Sequence, residues 1–186
     1  MQKKLLPLLI LPVLALASCG GPSTGTSLTP TAVNNTTLTP QDAGDQTIST
    51  EEAQMLRDLN AARAVARTCG SKQMPAAAPV TWNGYLATAA RAHALDMAVN
   101  GYFAHTSPTY GGIDTRAGAA GYSGWKELGE NIAAGQNLQT VMAAWLASPG
   151  HCETLMDAGL KEVGLAYLYR PGSQFGTYFV QEFGRR

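Results

Sequence analysis

The order of the secondary-structure patterns along this 186-residue chain predicts an α+β fold. Apolar residues recur at helical spacing through the middle of the chain, and they alternate with polar residues only near its end. Helices followed by a closing β-hairpin are typical of a domain in which helices cover a small antiparallel sheet. The chain length suits one such domain with extensions.

Residues 1–18 are expected to be an export signal. Lys3 and Lys4 give a positively charged start, and residues 5–17 are apolar. This apolar run is too short for a stable membrane-spanning helix, and its two prolines also argue against one. The segment therefore predicts export from the cytoplasm.

The export signal ends in Leu-Ala-Ser-Cys at residues 16–19, which resembles the bacterial lipobox. In that motif the cysteine, here Cys19, is acylated and becomes the new N-terminus. An ordinary secretory signal cut near the same place is the alternative. Gly20 after the cysteine is compatible with the outer membrane if the cell has two membranes. Residues 19–48 then form a disordered tether rich in Thr, Pro, Ser and Asn, and residues 49–186 the folded domain.

Two helices with clear start and stop signals open this domain. Ser49 and Glu52 fit a capping box, and Gly70 is expected to end the first helix. Asn83 can cap a second helix, which Gly101 ends. Residues 80–82, between the two helices, are interpreted as a short packing anchor.

Shorter helices follow, and the chain closes with two strands. One short helix is expected after Asp114 and another over residues 138–147. Ser148 and the proline after it are typical of the start of a further helix, whose first turn would carry His151. Unpaired amides there would lower the pKa of that imidazole. Alternation over residues 163–169 and 175–183 predicts an antiparallel hairpin.

Charge and cysteine content limit the classes of function. Only 14% of the residues are charged and the net charge is zero, so no basic surface for nucleic acid is expected. In an exported chain, Cys69 and Cys152 are expected to form a disulfide. The alternative is that Cys152 is a free thiol that acts as a metal ligand or nucleophile.

Six short motifs together resemble the CAP superfamily, which comprises cysteine-rich secretory proteins, antigen five and pathogenesis-related-one proteins, and the likeness is greatest to its bacterial branch. The motifs lie at residues 59–63, 103–108, 129–132, 145–151, 162–164 and 178–184. The resemblance covers residues 50–184. It implies an α-β-α sandwich, with helices on both faces of the sheet, and one large cleft.

The resemblance also implies the site residues. His105, Glu130 and His151 fall on positions of the family's cleft, which can hold zinc or another divalent cation. His105 and His151 are the expected metal ligands, although zinc usually takes three or four ligands. Ser148 stands where many members have a second glutamate, and Asn131 follows Glu130 in the same motif. The alternative is a hydrogen-bonded polar cluster that supports the loops.

We expect a binding module rather than an enzyme. Its partners are the bilayer, through the acyl anchor, and a lipid, a cell-wall fragment or a protein as ligand; the chain is expected to be a monomer. The alternative is a metal-assisted hydrolase, a peptidase or esterase, that uses Glu130 beside a metal-bound water, or Ser107 or Ser148 with a histidine. The expected folded domain, residues 49–186, lacks the His-Glu-x-x-His and Gly-x-Ser-x-Gly motifs of such enzymes.

Overall fold

The computed structural model describes residues 47–186. The expected export signal, the expected lipidation site Cys19 and the expected tether up to residue 46 lie outside the described residues. Among residues 47–186, no helix is both long enough and apolar enough to cross a membrane. The elements of this part follow in the order α1 (Thr50–Arg63), β1 (Arg67–Cys69), β2 (Lys72–Met74), β3 (Thr81–Trp82), α2 (Gly84–Asn100), α3 (Ile113–Ala119), β4 (Glu127–Ala134), α4 (Val141–Ala147), α5 (Pro149–Met156), β5 (Glu162–Tyr169) and β6 (Thr177–Arg185).

Four of these strands form the central sheet in the order β3-β5-β6-β4, and β1 pairs with β2 in a separate hairpin. β4 and β5 both run antiparallel to β6, whereas β3 runs parallel to β5. The α+β class is confirmed, but the sheet is mixed rather than purely antiparallel. The reason is that residues 80–82, interpreted as a packing anchor, contribute β3, which pairs with Glu162 and Val163.

Helices cover both faces of this sheet, as an α-β-α sandwich requires. Successive side chains along a strand point to opposite faces. Tyr178 and Val180 of β6 pack against α2, while Phe179 and Phe183 pack on the other face against α1, α4 and α5. Each face therefore has its own apolar core.

The backbone of α2 lies against the sheet at Gly164 of β5. A Cβ atom on Gly164 would lie 1.9 Å from the backbone nitrogen of Ala87 and 2.0 Å from the carbonyl carbon of Leu86. Only glycine leaves room for such an approach of two main chains.

The predicted helix caps are present. Ser49 Oγ accepts from Glu52 N at 3.1 Å, and Ser49 N donates to Glu52 Oε2 at 2.9 Å, which completes the capping box of α1. Asn83 Oδ1 accepts from the first amides of α2. Gly101 ends that helix in the left-handed conformation, with φ of 67°.

The first helix ends at Arg63, so the expectation that Gly70 ends it is wrong. Gly70 instead lies between β1 and β2 with a left-handed φ of 61°. The buried guanidinium of Arg63 anchors the end of the helix. It donates to four main-chain carbonyl oxygens, those of Ala78, Leu155, Asp157 and Leu160.

The expected disulfide joins Cys69 at the end of β1 to Cys152 in the first half of α5. The two Cα atoms are 5.4 Å apart across a sequence separation of 83 residues. Because both sulfurs are bonded to each other, Cys152 is not a free thiol, and its alternative role as ligand or nucleophile is wrong. The crosslink instead fixes the β1–β2 hairpin to the helix that carries His151.

Candidate functional site

Two carboxyl groups lie side by side on neighbouring strands at one edge of the sheet. Glu130 of β4 and Glu182 of β6 are direct cross-strand partners on the face that α2 covers. The side chain of Glu130 is 5% exposed, and that of Glu182 is fully buried. Two acidic groups held so close in the interior need a positive partner.

Arg116 of α3 is that partner. Its Nε donates to Glu182 Oε1 at 3.1 Å, and its Nη2 forms an ion pair with Glu130 Oε2. Burial raises the pKa of Glu182 to about 8; the charge on Arg116 opposes this shift and that on Glu130 adds to it. Glu182 is therefore mainly protonated at neutral pH, and the charge of Arg116 is balanced by Glu130.

His105 completes this cluster at the surface. Its Nδ1 lies 2.7 Å from Glu130 Oε1, while the imidazole remains 58% exposed. The hydrogen bond to Glu130 raises the pKa of His105, and burial of part of the ring opposes that shift. Because Nδ1 is occupied by the carboxylate, Nε2 of an exposed ring is the nitrogen available to a ligand.

Buried polar residues of α2 hold the loop that carries His105. Nε2 of His93 donates to the carbonyl oxygen of Ala104 at 3.0 Å. Burial, with a smaller effect of the charge on Arg116, lowers the pKa of His93 to about 4, so this ring is neutral. Ser107 Oγ donates to Asp96 Oδ2 at 2.6 Å. His93 is thus a supporting residue beneath the loop.

His151 approaches the same edge of the sheet from its other face. It lies in the first turn of α5, and its carbonyl oxygen accepts from Asn131 Nδ2 at 3.2 Å. Burial lowers the pKa of His151, and the charge on His105 lowers it further. The expected direction of this shift is present, but its causes are burial and the second histidine.

The remaining predicted site residues are Asn131 and Ser148, which both lie close to His151 in the fold. Asn131 is fully buried and donates both to His151 O and, across the strands, to Gln181 Oε1. Ser148 is the half-buried N-cap residue of α5, and its side chain makes no capping hydrogen bond. Asn131 therefore supports the backbone at His151, while Ser148 lies three positions before it.

The side chains present fit a metal only in part. No group of three or more His, Cys, Asp or Glu side chains in residues 47–186 is arranged to hold a metal ion. His105 and His151 offer two imidazoles, and Glu130 is already bound to His105 and Arg116. Two protein nitrogens are fewer than zinc sites usually have, so water or a ligand would have to complete the coordination.

A separate groove of about 390 Å³ lies between α1 and the segment before α4. None of the predicted site residues lines it. Its walls are formed by Thr50, Glu51, Gln54, Arg57, Asp58, Leu138 and Gln139.

Arg116 and Glu182 belong to the site but were not predicted from the sequence. A single arginine on a seven-residue helix leaves no periodic pattern. Glu182, however, sits in a strand with apolar residues on both faces. A strand that is apolar on both faces is covered on both, so its polar residues must be buried and paired.

Known proteins resemble this chain in sequence. The family model described as "Cysteine-rich secretory protein family" matches residues 56–183. The uncharacterized protein YkwD of Bacillus subtilis (strain 168) is 32% identical over 65% of this chain and 45% of its own length. The chain thus spans less than half of that relative.

Solved structures agree on the fold. An extracellular protein containing an SCP domain from Bacillus anthracis is 31% identical, with a TM-score of 0.50 over 59% of this chain and 35% of that chain. An outer surface protein of Borrelia burgdorferi is 22% identical, with a TM-score of 0.61 over 75% of this chain and 96% of its own, and shows the fold alone. NaASP2, crystallised with Zn²⁺, is 17% identical over 75% of this chain and 82% of its own, and its TM-score of 0.48 is too low to support the fold assignment. Since the family model spans the folded part from α1 to β6, the chain belongs to the cysteine-rich secretory protein (CAP) family.

Proposed function

We propose that this chain is an exported binding protein, whose ligand is held at His105 and His151 with Glu130 behind them. The observation that carries the proposal is the hydrogen bond between His105 Nδ1 and Glu130 Oε1, 2.7 Å long and partly open to solvent. A buried carboxylate that fixes an exposed imidazole is typical of a histidine prepared to bind.

A divalent cation such as Zn²⁺ is the first ligand we propose. Glu130 fixes the ring of His105 so that Nε2 is the coordinating atom, as carboxylates behind metal-bound histidines do in zinc proteins. The lowered pKa of His151 keeps that imidazole neutral, which is the form that binds metal. A metal held by only two imidazoles would be weakly bound and would keep positions for a further ligand.

Exposed aromatic side chains near His105 favour a further ligand with an apolar part. Phe103, two residues before His105, contacts Phe175 edge to face, with ring centroids 5.8 Å apart. Their residues are 43% and 37% exposed. A lipid, an apolar cell-wall fragment or a protein could cover such a surface.

The contacts weigh against the alternative of a hydrolase. Ser107 is 2% exposed and donates its hydroxyl proton to Asp96 rather than to a histidine. Glu130 is bound by Arg116 and His105, so it is a poor general base.

Export and membrane anchoring complete the proposal. The Cys69–Cys152 disulfide is typical of proteins that leave the reducing cytoplasm. The relative from Bacillus anthracis is described as extracellular. The lipobox-like residues 16–19 then support acylation of Cys19 and attachment of the folded part to a membrane.

Zinc titration of the full chain by calorimetry tests the binding site. The wild type should bind one zinc ion, and His105→Ala and His151→Ala should each weaken binding by about tenfold or more, because each removes one ligand. Glu153→Gln, which removes an exposed carboxylate from the same helix as His151, should bind as the wild type does. Equal zinc affinities of the wild type and His105→Ala would contradict the proposed site.

A further inference from the structure

Arg116 contacts both carboxyl groups of the site and the loop that carries His105. Its side chain is 1% exposed. It binds Glu130 of β4 and Glu182 of β6, and it donates to the main-chain carbonyls of His105 and Gly111. One guanidinium thus joins two strands of the sheet to both ends of a surface loop.

The loop that carries His105 is closed by hydrogen bonds at Gly111, which Arg116 also contacts. Ser107 N donates to Gly111 O at 3.0 Å, and Gly111 N donates to Ser107 O at 3.0 Å. Arg116 Nη1 donates to the same Gly111 oxygen and to His105 O, so it ties this closed turn to α3. A lysine could keep the charge but not this geometry, because it lacks the planar fork of donors.

Glu182 accepts a hydrogen bond from the guanidinium of Arg116 but, as a neutral carboxyl group, does not balance its charge. Its carboxyl accepts from Arg116 Nε and is fully buried. A mainly protonated Glu182 leaves the full positive charge to Glu130, whose Oε2 accepts from Nη2 and whose Oε1 faces His105 Nδ1. The orientation of Glu130 is therefore fixed from behind by Arg116.

We propose that Arg116 is the positioning residue of this site, because it holds both the Glu130 carboxylate and the loop that carries His105. In the resulting arrangement His105 keeps its proton on Nδ1, and Nε2 is left for the ligand. The inference rests on the proposed function only in naming His105 as the binding residue. The tautomer of a neutral imidazole is set by the hydrogen bond that its other nitrogen makes.

The test is imidazole ¹⁵N NMR of the full chain in detergent, with metal removed by chelation and at a pH where His105 is neutral. The wild type should show the proton of His105 on Nδ1. Arg116→Lys keeps the charge but loses the fork, so the proton should move to Nε2 and the two ring nitrogens should exchange their chemical-shift ranges. An unchanged Nδ1–H signal in Arg116→Lys would overturn the proposal.

Arg63→Lys is the matched control. Arg63 is also buried and also donates to main-chain carbonyls, but at the end of α1 and away from Glu130. This variant should lose stability while His105 keeps its proton on Nδ1; the same tautomer change in both variants would show general loosening and reject a specific role of Arg116.

If Arg116→Lys does not fold, the NMR signals of the Arg116 guanidinium in the wild type test the proposal instead. Four simultaneous contacts should stop rotation about the Nε–Cζ bond of Arg116, so its two Nη groups should give separate signals that exchange slowly with water. A single averaged signal would contradict the proposal. Both readouts are independent of zinc, so failure of zinc binding and failure of this inference can be told apart.

Discussion

The pKa of the Glu182 carboxyl differs strongly from that of free glutamate. Its pKa is raised to about 8, chiefly by burial, against about 4.3 for an unperturbed glutamate. Between these values the folded chain holds a proton that the unfolded chain has released. Since the unfolded state then binds fewer protons, the free energy of unfolding must fall as the pH rises through this window.

Glu182→Gln should remove this dependence, because an amide keeps the shape of the carboxylic acid and cannot ionise. Relative to the variant, the wild type should lose up to about 1.4 kcal/mol per pH unit between roughly pH 5 and pH 8. Urea unfolding of both proteins across this range measures the difference. Parallel curves for the two proteins would show that Glu182 is already ionised in the folded state.

The site could be predicted only where its residues stand in short motifs. His105 and Glu130 were found in this way, and they contact each other in the structure. Whether they and His151 bind a ligand stays a prediction. Arg116 and Glu182 lie 66 residues apart, and nothing local in the sequence indicates that they meet.

The position of helix α5 is fixed by the Cys69–Cys152 disulfide. It carries His151, and the disulfide through Cys152 fixes it to the β1–β2 hairpin. Replacing both cysteines by serine should lower the free energy of unfolding by about 4 kcal/mol, because the unfolded chain regains the freedom of a long loop. Thermal unfolding of the variant checks this. Wild type with its disulfide reduced should match the variant, and an unchanged melting temperature would contradict the expectation.

Elements with local signals were predicted well, and those that depend on distant partners were not. The capping box of α1 and the Asn83 cap of α2 are set by residues within one turn of the helix. β4 and β3 were not recognised, since both are strands only because β6 and β5 pair with them. The end of α1 was missed for a similar reason: the carbonyls that Arg63 binds come mainly from residues 155–160.

For the whole molecule, we predict that acylation of Cys19 attaches the folded part to a membrane. Radiolabelled palmitate should enter the wild type and should not enter Cys19→Ser, because only that thiol follows the lipobox-like residues 16–18. Ser27→Ala, a change in the expected tether, should be labelled normally. Equal labelling of the wild type and Cys19→Ser would end the lipoprotein proposal.

The contact at Gly164 limits how this molecule can move. Main chain meets main chain there, with no side chain between them that could adopt another rotamer and absorb a displacement. The second helix and the sheet must therefore behave as one stiff block, to which His93 and Asp96 belong. Ligand binding is therefore expected to leave the spacing between this helix and the sheet unchanged.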